Sequence, residues 1–278
     1  MPEYLDAKRI RALANELDLK PSKGRGQNFL FDGNTVRRIV GFAGVTEADT
    51  VLEVGPGLGS LTVGLLHMGA HVVAVEIEES LAHRLPTTMG ELVPDKVSNL
   101  TVVETDALRM TSLTPEPTAL VANLPYNISV PVILHILATF PSITRGLVMV
   151  QLEVADRLAA PPGSKVYGVP SAKLAWYASS SRVATVPATV FWPAPNVESG
   201  LVSFERRTPP EGADRQATFT LIDAAFSQRR KMLRSVLSKK YGPQIHEALA
   251  QAGIPPEARG ETLSIHDFAR LATLLTQE

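Results

Sequence analysis

The residues with the most specific chemical potential lie at positions 123–126, which read Asn-Leu-Pro-Tyr. An exocyclic amine on a nucleic-acid base is a poor nucleophile, because its nitrogen lone pair is delocalised into the ring. Two acceptors can hold the amine hydrogens and free that lone pair, and the Asn123 side-chain oxygen and the Leu124 backbone carbonyl are of that kind. Pro125 fixes the chain direction, and the Tyr126 ring can stack on a base flipped from its helix or loop. The pattern predicts a site that could hold a flipped base by its exocyclic amine and activate that amine for alkylation, with a simple Pro-Tyr turn after a buried strand as the alternative.

A glycine-rich turn follows the largely apolar stretch at residues 51–54 and precedes an apolar segment that is typical of a helix. Gly55, Gly57 and Gly59 stand at alternate positions, and Glu53 lies two residues before the first of them. Such a turn lets backbone amides approach a cofactor beside a helix N-terminus. The third glycine of the dinucleotide-binding motif would stand at position 60, which is Ser60. The turn therefore predicts a nucleotide-like ligand, with a simple tight connection as the alternative.

Two acids end predicted strands that follow this turn. Glu76 stands about 20 residues past the glycines, where an acid that binds a ribose is expected. Asp106 follows the next strand, at the edge where strand carboxyl ends line a ligand crevice, and could accept from an adenine amine. The alternatives are a solvated acid for Glu76 and a turn-forming residue for Asp106.

Strands and helices alternate from residue 50, which predicts a parallel sheet covered on both faces. Before it, Asp6 is expected to cap a first helix. The predicted strands are 50–54, 71–77, 100–105, 118–124 and 146–152. Strands at 182–186 and 200–206, joined by a Pro-rich connection, predict an antiparallel edge hairpin. Beyond a Pro/Gly-rich linker, helices are predicted at 219–237, 244–252 and 264–275. The expected domains are an α/β domain over 1–207 and a small all-helical domain over 208–278.

Composition excludes several classes of protein. The 278 residues are 45% hydrophobic and 20% charged, and none is cysteine, so disulfides and thiolate chemistry are excluded. No apolar run approaches the ~20 residues of a membrane span, and the N-terminus lacks the apolar core of a signal peptide. The expected location is the cytoplasm. The histidines show no metal-ligand spacing and no G-x-S-x-G is present, so no metal and no hydrolase chemistry are expected.

The net charge of −1 conceals local basic clusters. No acid occurs between Asp223 and Glu247, and the basic residues of that stretch include Arg229, Arg230, Lys231 and Arg234. Local patches rather than the total charge decide phosphate binding. We expect these four side chains to contact RNA, with an ordinary solvated helix face as the alternative.

Five segments carry a resemblance to a known family: GQNFL (26–30), EVGPGLG (53–59), NLPYN (123–127), SKVYGVPS (164–171) and AFSQRRKMLR (225–234). In this order they resemble the KsgA-type ribosomal RNA adenine dimethyltransferases. The resemblance implies a Rossmann-like class I methyltransferase sheet and S-adenosyl-L-methionine as cofactor. It implies dimethylation of N6 on two adjacent adenosines in the 3′-terminal loop of small-subunit (16S) rRNA. The implied partner is the small (30S) subunit or its precursor, and the expected state is a monomer.

The resemblance also assigns roles to residues. Those implied to contact the cofactor are Gln27, Asn28, Leu30, Gly55 and Gly57. Glu76 would hold the ribose and Asp106 the adenine amine, while Asn123 would lie between the cofactor and the target amine. Tyr126 is the expected stacking partner of the target base, with Phe191 a second candidate on its other face.

The sequence leaves three other functions open. A macrolide-resistance methyltransferase of large-subunit rRNA would share the cofactor and the Asn-x-Pro-Tyr motif. A non-catalytic ribosome assembly factor could keep the scaffold alone, although the intact Glu76, Asp106 and 123–126 motif argue against lost catalysis. A dehydrogenase is disfavoured by Ser60.

Overall fold

The computed structural model of the protein describes residues 3–19 and 28–276. Its contacts divide the chain into two compact units, Met1–Ala155 with Arg182–Glu205 and Asp156–Ser181 with Arg206–Glu278. The stretch Asp156–Ser181 thus groups with the C-terminal helices, whereas the sequence-based boundary assigns it to the first domain. The division into functional domains at residue 207 stays a prediction.

The strands in the described residues are β1 (Phe29–Leu30), β2 (Thr50–Val54), β3 (His71–Glu76), β4 (Leu100–Glu104), β5 (Ala119–Asn123), β6 (Arg145–Gln151), β7 (Ala178–Val186), β8 (Phe191–Trp192) and β9 (Ser199–Arg206). The α-helices are α1 (Ala7–Glu16), α2 (Gly33–Ala43), α3 (Ser60–His67), α4 (Glu79–Leu92), α5 (Ser129–Thr139), α6 (Leu152–Leu158), α7 (Val169–Tyr177), α8 (Arg215–Phe226), α9 (Leu233–Tyr241), α10 (Ile245–Gln251) and α11 (Ile265–Thr276). No described helix is long and apolar enough to cross a membrane.

A seven-stranded sheet forms the centre of the first unit, in the order β4-β3-β2-β5-β6-β9-β7. The pairs from β4 to β6 are parallel, and β9 runs antiparallel to β6. This confirms the mostly parallel α/β sheet with an antiparallel edge. Val51, Leu52 and Val121 are fully buried, as expected for strands covered on both faces. Because β2, β3 and β5 are parallel, their carboxyl ends meet at one edge of the sheet.

Helix starts also follow the sequence. The Asp6 side chain accepts from the Arg9 amide at 2.8 Å and caps α1, as expected. At the other end of the chain, Ser264 and Asp267 bond reciprocally before α11, with the Ser264 amide donating to Asp267 Oδ2 at 3.0 Å. Each contact satisfies an amide that the helix itself leaves unpaired.

A second, two-stranded sheet was not predicted. β1 pairs with β8 antiparallel, with Phe29 opposite Trp192 and Leu30 opposite Phe191. The Phe29 and Trp192 rings stack with centroids 6.5 Å apart. The Pro-rich connection before β9 therefore contains a strand that holds the segment around residue 29.

The basic segment of the second unit is not part of one long helix. The predicted helix 219–237 is wrong in this respect, because α8 ends at Phe226 and α9 begins at Leu233. Residues 227–232 form turns between the two helices and expose Arg229, Arg230 and Lys231. Leu233 and Leu237 of α9 are both buried.

Candidate active site

A cavity of about 460 Å³ lies at the sheet edge where β2, β3 and β5 end. Its wall includes most of the predicted cofactor and catalytic residues: Asn28, Leu30, Gly55, Gly57, Glu76, Asn123, Leu124, Pro125 and Tyr126. The structure thus brings together side chains that are separated by almost 100 positions in the chain. Gln27 lies outside the described residues.

The glycine turn forms one wall and requires glycine at each position. Gly55, Gly57 and Gly59 have φ values of 68°, 57° and 96°, which lie in the left-handed region that residues with a Cβ rarely adopt. A Cβ on Gly57 would lie 3.1 Å from the Phe29 ring, and one on Gly59 would lie 2.6 Å from Met89 Cε. The turn leads into α3, whose first amides are free of helix partners. The wall is therefore backbone, and a ligand can approach it closely.

Glu76 lies at the end of β3 and is held by three backbone amides. Its Oε2 accepts from Gly57 at 3.2 Å, and its Oε1 accepts from Ile77 at 2.9 Å and Glu78 at 3.0 Å. Burial raises the pKa of the Glu76 carboxyl, and these amides oppose that rise. A carboxylate has about four acceptor directions, so at least one on Oε2 remains for a ligand hydroxyl.

Glu53 is a second acid in the cavity wall, to which the sequence assigned no role. Its side chain is 1% exposed, and Thr62 of α3 donates to its Oε2 at 2.7 Å. Burial raises the pKa of Glu53 to about 8, and the nearby Glu76 adds to this rise. The signal in the sequence was its position two residues before Gly55, between the apolar residues Leu52 and Val54.

The 123–126 segment continues directly from β5. The Leu124 amide donates to the Met149 carbonyl at 3.0 Å, which extends the β5–β6 pairing by one residue. Within the described part of the chain, the Asn123 side-chain amide has no hydrogen-bond partner, and it contributes to the cavity wall. A Cβ on Gly55 would lie 3.9 Å from Pro125 Cδ, so the glycine turn and this segment are neighbours. The arrangement leaves the polar groups of Asn123 available to a ligand.

Tyr126 is half-buried, and its hydroxyl lies 2.9 Å from the Ser199 hydroxyl at the start of β9. Burial raises the pKa of the Tyr126 hydroxyl, with the Ser199 bond acting in the opposite direction. The Tyr126 side chain is therefore a neutral phenol at physiological pH, and the residue lines the cavity.

Two predicted residues lie outside the cavity wall. Asp106 caps a short 3₁₀ turn, where its Oδ1 accepts from the Leu108 amide at 2.9 Å, which matches the alternative interpretation of a turn-forming Asp. Phe191 is 2% exposed and belongs to the hydrophobic core, opposite Leu30 in the small sheet. The roles of Asp106 and Phe191 in ligand binding stay predictions, and for Phe191 the ring would have to leave the core.

The four basic residues of the second unit differ in their surroundings. Arg229 donates to the Lys165 carbonyl at 2.5 Å and to Glu261 Oε2 at 3.2 Å, so both ends of its guanidinium are engaged. Arg230 and Lys231 are exposed, and Arg234 is half-buried in the first turn of α9. Arg229 thus fastens the segment around residue 165 to the turn at Gly260–Thr262.

Residues 20–277 match the family model described as ribosomal RNA adenine dimethylase. The "Ribosomal RNA small subunit methyltransferase A" of Cutibacterium acnes is 57% identical over 277 residues, which cover 96% of this chain and 93% of that protein.

Two solved structures have a similar fold. The 23S rRNA methyltransferase ErmE is 28% identical, with a TM-score of 0.65 over 90% of this chain and 100% of that one. A dimethyladenosine transferase from Plasmodium falciparum is 23% identical, with a TM-score of 0.72 over 87% of this chain and 95% of that one.

Proposed function

Because this chain belongs to the ribosomal RNA adenine dimethylase family, we propose that it is a 16S rRNA (adenine-N6,N6)-dimethyltransferase. It transfers methyl groups from S-adenosyl-L-methionine to the N6 amines of two adjacent adenosines in the 3′-terminal loop of small-subunit rRNA, as part of subunit biogenesis. The observation that carries this assignment is the meeting of the glycine turn, Glu76 and the 123–126 segment in one cavity.

The residues present fit this cofactor. Gly55 and Gly57 carry no Cβ, so a ligand can lie close against the backbone itself, and a side chain at position 57 would press on the Phe29 ring. The remaining acceptor direction of Glu76 suits a ribose hydroxyl. The roles of Gln27, Asn28 and Leu30 in binding the methionine part of the cofactor are proposed with it.

The protein's part in the reaction is orientation and electrostatic fit. The bound cofactor supplies a methyl group on a positively charged sulfonium. The Asn123 side-chain oxygen and the Leu124 carbonyl accept the two hydrogens of the target amine, which favours a pyramidal nitrogen with a free lone pair. The Tyr126 ring stacks on the flipped adenine. No strong general base is needed, because the nitrogen becomes acidic as it gains the methyl group.

The proposed partner is the 30S subunit or its precursor, bound by a monomer in the cytoplasm. Exposed Arg230 and Lys231 would contact RNA phosphates, as would Arg234. The large-subunit alternative is less favoured, because the small-subunit relative is 57% identical and the large-subunit structure 28%. The intact cavity likewise disfavours a purely structural assembly factor.

The deciding experiment supplies labelled S-adenosylmethionine with purified small or large subunits from cells that lack this protein. We expect label in the small subunit and two dimethyladenosines in its rRNA by mass spectrometry. Label in the large subunit alone would favour the macrolide-resistance reaction, and label in neither would favour the assembly factor.

A further inference from the structure

The structure connects the predicted stacking residue to a strand far along the sequence. We propose that Ser199 is a positioning residue for methyl transfer: its hydroxyl holds the Tyr126 hydroxyl and thereby fixes the ring that receives the target base. This inference rests on the proposed function, in which the Tyr126 ring stacks on a flipped adenine.

Ser199 is well suited to be the fixed end of this bond. It is fully buried and begins β9, where it lies opposite Gln151 of β6. The neighbouring Leu152 amide donates to the Glu198 carbonyl at 3.0 Å, which secures the chain just before it. A Cβ on Gly200 would lie 2.4 Å from Ala155 Cβ, so β9 packs closely here. The Ser199 hydroxyl therefore has little freedom to move.

Tyr126 needs such an anchor, because it lies in the turn between β5 and α5. Within the described chain, Ser199 is the hydrogen-bond partner of its hydroxyl, at 2.9 Å. The hydrogen bond at its backbone is longer than the one at its hydroxyl: the Ser129 hydroxyl donates to the Tyr126 carbonyl at 3.4 Å. A side chain in a turn can populate several rotamers, and a bond at the far end of the ring selects one of them. The ring is then held at the cavity wall before the base arrives.

Pre-organisation of this kind affects the rate more than the fold. An unanchored ring must be ordered when the base stacks, so part of the stacking energy is lost to that ordering. Cofactor binding depends on the glycine turn and Glu76 and should not change. The expected signature is a lower kcat/KM for the RNA substrate with unchanged affinity for S-adenosylmethionine.

The test is a double-mutant cycle on the full-length protein with Ser199→Ala, Tyr126→Phe and the combined variant. Methyl transfer to unmethylated small subunits is measured, and cofactor affinity by calorimetry. Each single change should lower kcat/KM by about 3- to 10-fold, the effect of one lost hydrogen bond. The combined variant should lose no more than either one, because both changes remove the same bond. Ser203→Ala, a half-buried serine on the same strand, is the matched control and should retain full activity.

Two results would overturn the inference. Losses that multiply in the combined variant would mean that the two side chains act independently, and a folded Ser199→Ala variant with full activity would mean that the anchor is not needed. Should Ser199→Ala fail to fold, Tyr126→Phe alone decides, since unchanged kinetics in that variant also contradict the proposal. The proposed function fails separately, if the unaltered protein puts no label into small subunits.

Discussion

The backbone amide of Gly57 donates a hydrogen bond of 3.2 Å to Oε2 of Glu76. The bond joins the glycine turn after β2 to the end of β3, so the two elements proposed to hold the cofactor are fixed relative to each other. A substitution at either residue is therefore expected to act on cofactor binding before it acts on chemistry.

Removal of the Glu76 carboxylate should weaken cofactor binding. In Glu76→Ala we expect the dissociation constant for S-adenosylmethionine to rise by about 10- to 100-fold, the effect of a lost hydrogen bond to a charged group. Calorimetric titration measures it. Glu79→Ala, which removes an exposed carboxylate at the start of α4, should leave the constant unchanged. Equal affinities for the Glu76→Ala variant and the unaltered protein would exclude Glu76 from the binding site.

Replacement of Asn123 should separate binding from catalysis. Asn123→Ala removes a proposed acceptor of the target amine, so dimethyladenosine should disappear from the product while cofactor affinity stays measurable. Mass spectrometry of the rRNA and calorimetry give the two readouts. Asn15→Ala, on the exposed face of α1, serves as the control. Undiminished dimethylation by the Asn123→Ala variant would show that the proposed mechanism is wrong.

The buried Glu53 should make stability depend on pH. Burial raises its pKa to about 8 in the folded protein from 4.5, so the unfolded chain loses this proton first. The contribution of this carboxyl to the free energy of unfolding is fully present below pH 4.5. It is lost as the pH rises toward 8, by at most ~1.4 kcal/mol per pH unit. Glu53→Gln should flatten that part of the curve of unfolding free energy against pH. Glu211 is exposed, so Glu211→Gln should leave the curve unchanged and serves as the control. Identical curves for Glu53→Gln and the unaltered protein would contradict the raised pKa.

Replacing two glycines near α4 by alanine should change the free energy of unfolding in opposite directions. Gly59→Ala places a Cβ at φ 96° and within 2.8 Å of Leu85 Cδ1, so the free energy of unfolding should fall by about 1–3 kcal/mol. Gly90 lies within α4 with nothing within 4 Å of an added Cβ, so Gly90→Ala should raise it by about 0.5–1 kcal/mol. Denaturant unfolding measures both, and a neutral Gly59→Ala would mean that the turn relaxes easily.

Two neighbouring residues of the basic segment should have different roles: we expect Arg229 to stabilise the fold and Arg230 to bind RNA. Arg229→Ala removes the bonds to Lys165 and Glu261, so the melting temperature should fall. Arg230→Ala should leave it unchanged, weaken binding to small subunits and reduce the salt dependence of binding by about one phosphate contact. Binding measured across a salt series, beside thermal melts, separates the two. An unchanged salt dependence for Arg230→Ala would show that this side chain does not contact the RNA phosphates.

Local patterns were sufficient to predict most of the fold. The alternation of short apolar runs with helical segments predicted the parallel sheet of β2 to β6, and the strand ends predicted the edge where Glu76 and Asn123 meet. The break between α8 and α9 was missed because residues 227–232 contain neither Gly nor Pro, and their Arg and Lys have good helix propensity. At the start of α9 the Leu233 amide donates to the Ala258 carbonyl at 2.8 Å, a contact that no local sequence window contains.

Contacts between distant residues account for what else was missed. β1 and β8 have two residues each, too few for any periodicity, and the pairing of Leu30 with Phe191 spans most of the chain. The Tyr126–Ser199 bond is likewise invisible in a local window. Glu53 stood out in the sequence only as an acid in an apolar strand, and its Thr62 partner emerged with the packing of α3 on the sheet.

The β1–β8 pairing also determines when, during synthesis of the chain, the cavity can form. Phe29 and Leu30 line the cavity, and they pair with residues that leave the ribosome about 160 positions later. The Ser60 hydroxyl donates to the Leu30 carbonyl, so early-synthesised chain holds this wall from one side. A nascent chain that ends before residue 190 can form β2 to β6 but not this wall, because loop closure over such a separation awaits the later strand. Affinity for the methyl donor should therefore arise late in synthesis, after the parallel sheet has formed.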